Sequence, residues 1–246
     1  MLITSTQNSR IKNLRALYKD KNLRKTQGVF IAEGVNLVKD VSPCFIVREL
    51  YIKQSKYEQL EYIEKKFETE AYVVKDGIFD AVSDTVSPSG VIAVIEKPVY
   101  EMEAKGETVI LLDGICDAGN MGTIIRSAAA RGISTIISVN GTDAYSPKAI
   151  RASMGGIFYV NVIECIPERA LELLNGYKMV VLDMGGEDIY DYKPEYPIAL
   201  AVGSEAHGLS ETIRNKADKV IAIPMKTGIE SLNAAISISI AMFLIK

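Results

Sequence analysis

After a polar stretch near residue 100, short and nearly continuous apolar runs alternate with amphipathic ones. VILLD, STIISV, MVVLD and IALAVG read as strands covered on both faces, the signature of a parallel sheet. Helical spacing falls between them at 120–131, about 147–154, 167–175 and 209–216, and a last apolar segment covers 231–245. The first hundred residues are more mixed. Helical periodicity over 8–19 puts Ile11, Leu14 and Leu17 on one face, and 35–39 and the charged stretch 55–68 read as further helices. GVFIAEG, CFIVRELYI, AYVV and GVIAVIE read as strands. The polar run KPVYEMEAKGET separates the two halves. The expected fold class is α/β: a small N-terminal α/β domain over 1–97, a linker over 98–107, and a parallel-sheet α/β domain over 108–246.

Composition narrows the class. With 48% apolar and 24% charged residues, the chain of 246 can bury a sizeable core, which excludes a disordered or collagen-like protein. Cys44, Cys116 and Cys165 are too widely spaced for a CxxC zinc or redox site and too few for a disulfide framework, so a reducing cytoplasm is expected. The start, MLITSTQNSRIK, lacks the apolar core of a signal peptide. Apolar runs such as IAMFLI fall far short of the roughly 20 residues that span a bilayer. The net charge of −3 argues against a nucleic-acid partner, but its distribution argues the other way. Residues 1–27 carry Arg10, Lys12, Arg15, Lys19, Lys21, Arg24 and Lys25 against Asp20 alone, a local excess of +6. Such a run is either a solvated helix face or a surface for a polyanion.

Parallel sheets bind ligands at the carboxyl ends of their strands, so the segments that follow strands hold the candidate chemistry. The first is LLDGICDAGNMGTIIRSAAARG: Asp113 ends a strand, Asp117, Gly119, Asn120 and Gly122 form a polar turn, and Arg126 lies in the helix beyond. It is neither a Walker A loop nor a GxGxxG fingerprint. A helix cap by Asn120 or Asp117 explains the turn but not Arg126, flanked by Ile124, Ile125 and a run of alanines. The second, LAVGSEAHGLSETI, places Glu205 in a glycine-bounded loop before a helix capped by Ser210. The third, VIAIPMKTGIESLNAAISISIAMF, opens an apolar helix with Ser231 as a plain cap, which leaves the amide of Asn233 unexplained. In the fourth, NGTDAYSPKAIRASMGGIFYV, Lys148 and Arg151 share a helical face. His207 is the single histidine, and no cluster of metal ligands appears.

In this order and spacing, the segments resemble the SpoU/TrmH family of RNA ribose 2′-O-methyltransferases, within the SPOUT superfamily. Asn120, Gly122 and Arg126 match its first motif, GSEAHGLS with Glu205 its second, and IPMKTGIESLNAAISI with Ser231 and Asn233 its third. A Gly is common in the family at the position of Ala206. The N-terminal segment, through Asn8, Lys12, Arg24, Phe30, Glu33 and Gly34, is similar to the small substrate-binding domain that many members carry. The resemblance implies a deep trefoil knot in the C-terminal domain and a homodimer built on the terminal helix. It implies S-adenosylmethionine as cofactor, lined by Gly203, Ile223 and Leu232, with the loop 183–186, which holds Met184 and Gly185, bordering its adenosine. It also implies catalytic roles for Arg126, Asn120, Glu205, Ser231 and Asn233, with Asn120 and Glu205 orienting Arg126 and the nucleotide. RNA would be bound by Arg10, Lys12, Arg24, Lys148 and Arg151, and no metal is needed. Ribosomal RNA is the expected substrate; transfer RNA, and a knotted RNA-binding or assembly factor without catalysis, are the alternatives.

Overall fold

The computed structural model describes residues 1–99, 107–228 and 231–245. Most of the expected linker, residues 100–106, therefore lies outside the described residues. The chain forms two compact units, one of Met1–Val99 with Tyr145–Arg151 and the other of the remaining residues.

The first unit contains β1 (Leu2–Ile3), α1 (Ser9–Lys19), α2 (Lys21–Gln27), β2 (Val29–Glu33), α3 (Val35–Lys39), β3 (Val47–Lys53), α4 (Tyr57–Phe67), β4 (Ala71–Val74), α5 (Asp76–Val82) and β5 (Val91–Glu96). Its mixed five-stranded sheet runs in the order β1-β4-β3-β5-β2. Asn8 caps α1 by accepting from the Arg10 N–H at 2.9 Å, and Ile11, Leu14 and Leu17 turn into the core beside Ile31, Tyr51 and Phe79. Glu33 is buried but fully satisfied. It accepts from Tyr18, from the Ser83 and Thr85 hydroxyls and from the Asp84 N–H. Burial, reinforced by that carboxylate, pushes the Tyr18 hydroxyl far above the ordinary phenol range, so it remains a donor.

The second unit contains β6 (Thr108–Asp113), α6 (Ala118–Arg131), β7 (Thr135–Val139), β8 (Asn161–Cys165), α8 (Pro167–Leu173), β9 (Lys178–Asp188), β10 (Ile198–Gly203), α9 (Glu211–Arg214), β11 (Lys219–Ala222) and α10 (Ala234–Leu244); a further helix, α7 (Pro147–Ala152), spans the boundary between the units. Its six strands are all parallel, in the order β11-β9-β10-β6-β7-β8. The apolar runs are buried on both faces, and β10 is buried at every position.

Three local expectations are corrected. Residues 183–186, read as a loop, lie within β9, yet they step away from the ladder: Val220 pairs with Val181 whereas the next residue, Ile221, pairs with Glu187. The helix expected at 209–216 contracts to Glu211–Arg214. The last helix begins at Ala234, and its cap is Asn233 rather than Ser231, because the Asn233 side-chain oxygen accepts from the Ala235 and Ile236 N–H groups at 3.0 and 3.2 Å. At its far end the Arg131 guanidinium donates to the Met242 carbonyl at 2.9 Å, joining α10 to α6.

Candidate active site

Because the second sheet is parallel, the segments leaving β6, β7, β9, β10 and β11 gather along one edge. The loop after β10 is tightly folded. Ser204 and Gly208 exchange main-chain hydrogen bonds of 3.1 and 2.8 Å, and a Cβ at Gly203 would lie 2.0 Å from the Gly208 carbonyl carbon. Only glycine permits that approach. The end of the loop is anchored by Asp113, which is 3% exposed and accepts from the Ser210 N–H at 2.7 Å and from the Asn140 amide at 3.3 Å. One buried carboxylate thereby ties the ends of β6, β7 and β10 together.

This loop delivers Glu205 to a compact polar cluster. One Glu205 oxygen accepts from the Asn233 amide at 2.7 Å, from the Asn120 amide at 3.1 Å and from the Ala234 N–H at 3.2 Å. Asn233 also donates to the Asn120 side-chain oxygen at 3.1 Å. Asp117 supports Asn120 from below, capping α6 through the Asn120 N–H at 2.9 Å. Three residues remote in sequence thus meet at the N-termini of α6 and α10, where helix dipoles favour a carboxylate.

Beside the cluster lies a cavity of about 290 Å³, lined by Gly203, Ile223, Leu232 and Met184 among the expected cofactor residues, and by Glu205 and Ser231 among the expected catalytic ones. Gly185 is not part of its wall. Across the same loop is a second cavity of about 630 Å³ whose wall includes Asp113, Asp117, Asn120, Asn140 and Glu205.

Arg126 stands apart from this cluster. It projects from α6 into solvent and makes no hydrogen bond or ion pair with a described residue. The expectation that Asn120 and Glu205 orient it is therefore corrected: those groups bind each other and Asn233 instead. The main chain at Arg126 is nonetheless closely held, since a Cβ at Gly156 would lie 3.0 Å from the Arg126 Cα.

The expected RNA-binding residues all fall in the first unit. Lys12 and Lys148 are exposed, and Arg10 is half-exposed, paired with Glu49 and stacked on the Tyr72 ring at 4.2 Å. Arg151 pairs with Asp84 at 2.7 Å. Arg24 is corrected outright: it is 6% exposed and donates to the Leu17 carbonyl at 2.7 Å, so its guanidinium serves the break between α1 and α2 rather than a ligand. The exposed cations should still bind polyanions. Arg10→Ala with Lys12→Ala should weaken RNA binding and flatten its dependence on salt, as read in titrations over a range of ionic strength. Unchanged affinity at low salt would make this a solvated face.

Asp183, from the loop expected to border the cofactor, and Arg214, which had no expected role, also line the first cavity; Asp113 and Asn140 likewise had no expected role. Asp113 and Asp183 had a signal, an acid closing an apolar strand; Arg214 and Asn140 had none.

Residues 107–243 match the SpoU rRNA methylase family and residues 8–93 an MRM3-like substrate-binding domain. The 23S rRNA (guanosine(2553)-2′-O)-methyltransferase RlmP of Bacillus subtilis is 30% identical, covering 98% of this chain and 97% of its own. An AdoMet-bound rRNA methyltransferase from Sinorhizobium meliloti superposes with a TM-score of 0.88 at 28% identity, covering 99% of this chain and 96% of its own. The SpoU methyltransferase AviRb from Streptomyces viridochromogenes, in complex with AdoMet, gives a TM-score of 0.88 at 26% identity and covers 97% of each chain.

Proposed function

The chain belongs to the SpoU rRNA methylase family, and from that premise we propose that it transfers a methyl group from S-adenosylmethionine to a ribose 2′-hydroxyl of ribosomal RNA. The observation that carries the reading is the cluster of Asn120, Glu205 and Asn233, whose Glu205 lines the 290 Å³ cavity. The cavity suits the cofactor chemically. Val202, Leu209, Ile223 and Leu232 offer an apolar wall for an adenine, and the Asp183 and Glu205 carboxylates face a ligand that carries positive charge.

S-adenosylmethionine supplies an electrophilic methyl carbon; the chain must do the rest. A ribose hydroxyl is a weak nucleophile, so it must be held in line and its developing alkoxide charge lowered in energy. We assign the second function to Arg126. A guanidinium is protonated far above neutral pH, so it acts as a charge and a donor fork, with the proton leaving to phosphate or water. Asn120, Glu205 and Asn233 form the rigid platform on which the ribose rests, and Ser231 lines the cofactor side. The nucleotide enters from the second cavity, which shares Glu205 with the first. Residues 1–97 act as the RNA-binding domain, residues 108–246 as the knotted catalytic domain, and the protein works in the cytoplasm with the ribosome's RNA. Mapping of 2′-O-methyl groups across total RNA, with and without the gene, should reveal one ribosomal position that disappears. A change confined to transfer RNA would overturn the substrate assignment.

A homodimer through α10 belongs to the same reading. Ile236 and Phe243, two turns apart, are 50% and 51% exposed despite being large and apolar. Ile236→Glu or Phe243→Glu would place an unpaired charge at such an interface and should yield monomers with little activity. Sedimentation of the wild-type protein as a monomer at micromolar concentration would contradict the dimer.

A further inference from the structure

The cations of α1 divide into two groups. Lys12, Arg15 and Lys19 recur at helical spacing along one stripe and make no hydrogen bond or ion pair with a described residue. Arg10, about 200° around the helix from Lys12, is held from two directions. Its Nη1 donates to the Glu49 Oε1, and its guanidinium carbon lies over the Tyr72 ring, 4.2 Å from the centroid. Glu49 is fixed in turn, because its Oε2 accepts from the buried Tyr51 hydroxyl at 2.6 Å. Burial, reinforced by that carboxylate, pushes this hydroxyl far above the ordinary phenol range, so it remains a donor. Tyr51 and Tyr72 stand side by side on β3 and β4, with ring centroids 5.4 Å apart. Tyr51, Tyr72 and Arg10 thus form a stack that runs from the core of the first unit to its surface, where the Arg10 side chain is 40% exposed.

The chemistry of the end group decides what it takes. Glu49 offsets the charge of Arg10, so this residue attracts phosphate weakly. What remains is a planar, weakly hydrated group, ordered before any ligand arrives and backed by an aromatic ring. Guanidinium planes stack on nucleobases, and only bases outside a duplex expose their faces. We propose that Arg10 is a stacking platform for an unpaired base of the RNA, with Tyr72 supporting it from below and Glu49 as its positioning residue. The inference rests on the reading of the first unit as the RNA-binding domain and names the form of RNA that it takes: a strand that is unpaired where it meets Arg10. Lys12, Arg15 and Lys19 supply the phosphate contacts. The flattened salt dependence expected of Arg10→Ala with Lys12→Ala then comes from Lys12.

Titration of the intact protein with two probes of equal charge tests this: an oligouridylate, and an abasic ribose-phosphate chain of the same length. Arg10→Lys keeps a cation beside Glu49 and removes the plane. It should weaken binding of the oligouridylate about tenfold, the loss of one base stack, and leave the abasic chain within about twofold, with the salt dependence unchanged. Glu49→Gln should free the guanidinium as an ordinary cation, steepening the slope of log affinity against log salt by about 0.7 while the affinities for the two probes converge. An equal loss on both probes in Arg10→Lys would make Arg10 a phosphate contact and overturn the proposal. No loss on either would leave a surface ion pair and overturn it as well. A wild-type protein that binds the two probes equally also overturns it while leaving the RNA-binding reading intact. A wild-type protein that binds neither removes that reading itself, and the proposal falls with it.

Discussion

Replacing Arg126 with alanine should lower methyl transfer by about two to three powers of ten while leaving the fold and cofactor affinity unchanged, because what is lost is a charged contact made mainly in the transition state. The structure explains why the two effects separate. The Arg126 side chain has no partner among the described residues, so its removal breaks no ion pair and opens no cavity. The backbone there is positioned by Gly156 against α6, not by the guanidinium. Arg126→Lys should fail nearly as completely, since one ammonium cannot present a planar fork to a ribose oxygen and its phosphate. Single-turnover methylation, a cofactor titration and a melting curve on one preparation measure all three quantities. A mutant with lower melting temperature and equally reduced cofactor binding would show Arg126 to be a packing residue.

The second large effect is expected at Gly203. Gly203→Ala adds one methyl group at a point where the available space ends 2.0 Å away, in the main chain of Gly208. No rotamer relieves a clash with backbone, so the loop after β10 must move. That loop carries Glu205 and forms walls of both cavities, so cofactor affinity and methyl transfer should fall together by at least tenfold. The overpacked strand end should cost about 1–3 kcal/mol of stability. Urea unfolding and cofactor titration check the two parts. Wild-type affinity in Gly203→Ala would mean that the loop relaxes freely and that the tight turn does not shape the site.

The contrast between these two positions shows what is legible in a sequence. Arg126 stands out in the chain because a charge amid isoleucines and alanines violates the local pattern, and the structure leaves it without an internal partner. The parallel sheet was legible because strands covered on both faces must be apolar throughout, as β10 is. Arg24 was misread for the opposite reason. It sits in a run of seven cations whose pattern cannot distinguish a solvated arginine from one folded back onto the Leu17 carbonyl, because the break between α1 and α2 that exposes this carbonyl leaves no signal. The pairing of Asp183 with Arg214 spans 31 residues and depends on β9 stepping out of register, which no periodicity encodes. The start of α10 turned on whether Ser231 or Asn233 supplied the cap; both types are good caps, and only tertiary contact with Glu205 decided between them.

The most direct test of the account is chemical. Ribosomal RNA incubated with the protein and methyl-labelled S-adenosylmethionine should acquire label, and alkaline hydrolysis should leave that label in a dinucleotide, because a methylated 2′-oxygen cannot attack the adjacent phosphodiester. Label released entirely in mononucleotides would place the methyl group on a base and contradict ribose methylation.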